Sequence, residues 1–186
     1  MEIAQLIDQL AAEQPLEYKD LPSIPLYMDQ VTTLLEGRIC PGTEPGEGKH
    51  PAKTLINSLT KSGVLPPPEK KKYSREHLLC LLMICKLKAV LNMEDIGLYT
   101  NHLLHSTGDS DSLRKFYEEY LLLEKELRTD LYAAVESHYD KLRTNLQVSP
   151  ADERPALMYA LLLANHAAEE KKLAELILRQ LQNEDK

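Results

Sequence analysis

Tryptophan is absent from the 186 residues, phenylalanine occurs once and glycine only seven times. Few aromatics beside abundant Leu, Ala, Glu and Lys argue against a sheet-built core and favour helices. No glycine-rich loop of the P-loop or dinucleotide type is present, which argues against a nucleotide site. The three cysteines, Cys40, Cys80 and Cys85, are too few and odd in number for a disulfide framework and fit a reducing compartment. The longest apolar run, residues 78–85, falls far short of the roughly 20 residues that a membrane span needs. The N-terminal "MEIAQLIDQLAAEQ" lacks a basic start and a small-residue cleavage site, so no secretion signal is expected. A cytoplasmic protein that does not engage the membrane is the expectation.

The chain is 43% hydrophobic and 27% charged, an ordinary balance for a globular protein long enough to bury a core without metal or disulfides. Net charge is −7, which by itself argues against nucleic acid. Its distribution argues the other way. Residues 49–88 hold nine Lys/Arg against two acids, a local +7 that leaves −14 on the rest. Segregation of this size sets up a local field able to attract an anion, although a solvated lysine-rich face would have the same composition.

Periodicity places helices at residues 2–12, 29–39, 53–62, 75–90, 93–104, 113–146 and 156–181. A proline-rich connector (Pro15, Pro22, Pro25) follows the first of them. Residues 40–51, with three prolines and three glycines, read as a loop. Gly63 is the expected left-handed helix stop. Ser74 and Asn92 are candidate N-caps, and Asp109 and Asp111 are suited to cap the helix after "HSTGDSD". No strand longer than a few residues is expected.

The stretch "SGVLPPPEKKKYSREH" reads as helix stop, rigid triproline step, basic tip and helix start. The helix before it turns Leu55, Ile56 and Leu59 inward and Lys53, Thr54, Asn57, Ser58 and Lys61 outward. Asn and Lys can read base edges, while Lys70, Lys71, Lys72 and Arg75 on the tip can hold phosphates. From Leu55 to Ile96 this segment resembles the DNA-binding half of MerR-type winged-helix regulators. Those have a glycine-ended recognition helix, a Leu-Leu-Pro-Pro-like step, a basic wing, a Tyr-Ser-like entry and an apolar helix. The matching residues are Ile56, Asn57 and Leu59, then Gly63 to Pro67, Tyr73–Ser74, and Leu81, Ile84 and Leu87. Asn92 to Ile96 match a second turn. Three departures stand out. Asn57–Ser58–Leu59 replaces the usual Arg-Tyr-Tyr, the wing is short, and the loop between the two helix-turn-helix helices is long.

Over about residues 20–180 the chain resembles a bacterial family, mainly Gram-positive, of no established function. It carries that family's "LYMDQV" (residues 26–31) and "PPPEKKKYSREH".

Other constellations are weaker. His77 with Cys80, and His102 with His105, are spaced as paired metal ligands but lack further ligands at suitable spacing. No catalytic or metal site is assigned, no cofactor is implied, and no enzyme is expected. Tyr117, Tyr120, Tyr132 and Tyr139 suit a core or interface better than a pocket.

The expected fold is all-α, a MerR-like winged helix-turn-helix domain with a minimal wing plus a C-terminal helical hairpin. Residues 1–15 form an N-terminal helix, 16–108 the helix-turn-helix domain and 109–186 the hairpin. The hairpin is expected to dimerise, to sense a small-molecule effector of unknown identity, or to fold back on its own N-terminal domain. The expected function is a transcriptional regulator binding double-stranded DNA. The alternative is a non-enzymatic protein-interaction adaptor that keeps the scaffold without DNA binding.

Overall fold

The computed structural model describes residues 3–12, 14–38, 51–147, 149 and 152–184. The expected loop at 40–51 therefore lies outside the described residues up to residue 50, as does part of the turn near 150. Seven α-helices and one two-stranded sheet occur among the described residues: α1 (Ile3–Ala11), β1 (Leu26–Tyr27), α2 (Met28–Arg38), α3 (Pro51–Lys61), β2 (Lys72–Tyr73), α4 (Arg75–Lys88), α5 (Met93–Thr107), α6 (Ser110–Leu146) and α7 (Arg154–Glu184). The mainly helical architecture expected from the composition is observed. β1 pairs antiparallel with β2, Leu26 opposite Tyr73 and Tyr27 opposite Lys72.

The chain divides into two compact units. The larger comprises Leu16–Glu118 with Ala174–Lys186, the smaller Met1–Pro15 with Glu119–Leu173.

In the larger unit α4 is the centre. Eight consecutive side chains, from Leu78 to Cys85, are buried, as expected of a helix that is apolar all round. Val31 and Leu35 of α2, Ile56 and Leu59 of α3, Ile96 and Leu103 of α5, and Leu113 and Tyr117 of α6 complete the core. Local chemistry sets the helix ends. Gly63, at φ 76°, follows α3, and the Leu65 amide reaches back to the Leu59 carbonyl (3.1 Å), so Val64 and Leu65 turn inward. The Asn92 side chain accepts from the amides of Glu94 and Asp95 at the start of α5. Asp109 accepts from the amides of Asp111 and Ser112 at the start of α6. Asp111 instead pairs with Arg114 and Lys115. The Tyr117 hydroxyl donates to the Leu16 carbonyl at 2.6 Å.

The smaller unit is built differently. Among its described residues only Pro155 and the tyrosines Tyr139 and Tyr159 are buried. The two tyrosine rings meet at 5.5 Å between centroids, and the Tyr159 hydroxyl donates to the Val135 carbonyl. α1 buries no residue. No helix among the described residues is long and apolar enough to cross a membrane.

Candidate functional site

α3 sorts its residues by face. Ala52, Ile56 and Leu59 are buried. Lys53, Thr54, Asn57, Ser58 and Lys61 are all exposed, so the polar face read from the sequence is presented to solvent. Lys53 is drawn toward α2 by an exposed ion pair with Asp29 at 3.5 Å, a contact worth little in water. Asn57 and Ser58 sit between the two lysines on this face.

Beyond Gly63 the triproline step leads to a two-residue hairpin. Glu69 and Lys72 bridge across it, the Lys72 amide donating to the Glu69 carbonyl at 2.9 Å. Lys70 and Lys71 occupy its two central positions at φ 48° and 64°. Positive φ at both positions marks a type I′ turn, which strongly prefers Asn-Gly or Gly-Gly. Two lysines there are strained by about 1 kcal/mol each. Both are exposed, whereas Lys72 is half-buried, its ammonium 5.0 Å from the centre of the Tyr27 ring.

Tyr73 carries the position of the tip to α3. Its ring is buried, and its hydroxyl meets the Thr60 side chain. Burial, opposed in part by that hydrogen bond, pushes its pKa up. His77 adds a second tie. Its Nδ1 accepts from the Ser74 amide at 3.2 Å, which puts the proton on Nε2, and Nε2 donates to the Pro67 carbonyl at 3.3 Å. One imidazole thus joins the start of α4 to the triproline step, with the edge of Tyr73 packed against it. Neither contact shows in the sequence beyond the Ser-x-x-His spacing, an imidazole variant of the capping box.

Arg75 has an internal task. Its Nε donates to the Pro22 carbonyl at 3.0 Å and a terminal nitrogen to the Leu21 carbonyl at 2.6 Å. Its guanidinium also stacks 4.7 Å from the Tyr18 ring, which Arg114 approaches as well, at 5.7 Å. The group expected to hold phosphate therefore anchors the connector before β1. Sequence gave no signal for this, since the partners lie more than fifty residues away. Glu76 is shifted by opposing causes. Burial raises its pKa, but hydrogen bonds from Ser74 and Ser110 outweigh it and leave it below the usual carboxylate range.

The paired histidines and cysteines gather no third ligand: no group of three metal-ligating side chains occurs among the described residues. Burial pushes the Cys80 thiol up to about 12, so it is a neutral core group rather than a nucleophile.

No curated protein and no solved structure matches the chain. The family described as a domain of unknown function, DUF1836, matches residues 16–120. That span covers more than half of the sequence and includes α3, the hairpin tip and both helices packed behind them, so the chain belongs to the DUF1836 family.

Proposed function

We propose that the larger unit binds double-stranded DNA as a MerR-like winged helix-turn-helix. α3 is the recognition helix and the hairpin at residues 69–72 the wing. The element order β1–α2–α3–hairpin–α4–α5 supports this reading, as does the pairing of β1 with the outgoing arm of the hairpin. The observation that carries it is the tip. Lys70 and Lys71 hold a backbone conformation that glycine or asparagine would adopt more readily. Strain kept at an exposed site points to a use for the side chains, and two adjacent ammonium groups beside an exposed polar helix suit phosphates flanking a groove. Lys53, Thr54, Asn57, Ser58 and Lys61 face the bases, Lys70 and Lys71 the backbone, with Lys72 alongside. Arg75 acts from behind, fixing the connector to which the wing is paired.

Fluorescence anisotropy with genomic DNA fragments across a salt series tests the proposal. Affinity falls with salt, and Lys70→Asn/Lys71→Gly flattens the log–log slope by about 2, one unit for each lost phosphate contact. A wild-type chain that ignores DNA at low salt overturns it. The adaptor reading would then stand, favoured by the departure at Asn57–Ser58–Leu59 and by the net charge of −7.

A further inference from the structure

The smaller unit carries an apolar surface that its own described residues leave exposed. On α7, residues 160–173 are exposed without exception, although they include Leu161, Leu162, Leu163 and Leu173. Leu157 and Leu161 are 69% and 64% exposed and continue through Ala164 and Ala168 at 4-3-4 spacing, one face of a helix. On α6, Leu123, Leu127 and Leu131 form a second stripe at four-residue spacing, Leu127 being 66% exposed.

We infer that a second copy of this chain covers these stripes, making the protein an obligate homodimer through α6 and α7 of the smaller unit. Two observations select this occupant. First, the exposed leucines of the two stripes and their neighbours offer on the order of 1,000 Å² of apolar area per chain, against the ~800 Å² per partner of a standard stable interface. A typical monomer leaves a largest patch of only about 300–600 Å². Second, the smaller unit buries too little of its own to stand alone: two tyrosines in contact are not a core. A segment that folds only against a partner needs that partner at synthesis, and an identical chain is always present. This inference is independent of the DNA-binding proposal, because it rests on a different unit and is read by mass.

Sedimentation equilibrium of the full chain at micromolar concentration is expected to give twice the monomer mass. Leu127→Glu/Leu161→Glu is expected to raise the dissociation constant by about 100-fold or more. Both side chains are already in water in an isolated chain, so a monomeric protein would tolerate the change. A wild-type monomer at these concentrations overturns the inference, as does a double variant whose mass stays that of a dimer. If the variant fails to fold, co-expression of tagged and untagged wild-type chains decides. With equal expression, recovery of about one untagged copy for every two tagged supports the dimer, and absence of the untagged copy overturns it.

Discussion

The two units use similar leucine-rich helices to opposite ends. In the larger one, eight successive side chains of α4 are out of water. In the smaller one, fourteen successive residues of α7 are in it. Apolar content alone does not decide burial, because a leucine stripe is inert until another surface meets it. The larger unit brings its own surfaces together through α2, α3, α5 and the start of α6. The smaller unit offers stripes and few counterparts.

Substitutions in the two units sharpen this contrast. The largest effect is expected for Leu81→Ala, which opens a cavity beneath a side chain with no exposure and destabilises by about 3 kcal/mol. The urea midpoint should fall by the same amount at low and high protein concentration. The companion Leu161→Ala should cost little in a dilute chain, and its effect on thermal midpoint should depend on protein concentration. Equal, concentration-independent losses would erase the distinction between the units.

Arg75→Lys comes next. Lysine keeps the charge but loses the planar fork that reaches two carbonyls and the face of Tyr18. A loss of about 2 kcal/mol in chemical denaturation is expected, with an unchanged salt slope for DNA. Because lysine keeps the charge, Arg75→Gln is the phosphate test: a salt slope flattened by about 1 would return Arg75 to the phosphate-binding set.

Lys70→Asn/Lys71→Gly should act in the other direction, stabilising by about 1–2 kcal/mol as strain is relieved at the turn while DNA affinity falls. Opposite signs from one variant separate a functional lysine pair from an accidental one.

The smallest effect is that of acid on Glu76. Its carboxyl titrates lower in the folded chain, so the unfolded chain takes up its proton first as pH falls. Its stabilisation is present above about pH 4.3, the ordinary glutamate value, and is lost as pH drops through the lower folded value. Glu76→Gln should make the urea midpoint less sensitive to acid between pH 5 and 3, on the order of that window.

How much of this was legible in the sequence follows from range. Helix positions were legible because periodicity and caps are local: Gly63, Asn92 and Asp109 mark ends that the backbone obeys. The exposed face of α3 was legible for the same reason. The strained tip was not, since Lys-Lys carries no turn signature. Nor was the anchoring of Arg75, whose partners are distant in the chain. On α6, Tyr139 and Leu127 belong to the same spacing, yet one is buried and the other is not. Only tertiary packing distinguishes them.

The burial of Cys80 and Cys85 in α4 gives the protein a built-in clock. Burial pushes the Cys80 thiol up to about 12, so it stays un-ionised at neutral pH. A thiol reagent therefore reacts through openings of the central helix, at a rate set by the open population and the reagent, and by the opening rate alone once labelling outpaces reclosing. In a chain whose Cys40 is replaced by serine, the labelling half-time at saturating reagent measures the lifetime of the closed core. If the proposed DNA binding holds, a change in that lifetime on adding DNA would show that contact at α3 is felt at the centre of the unit.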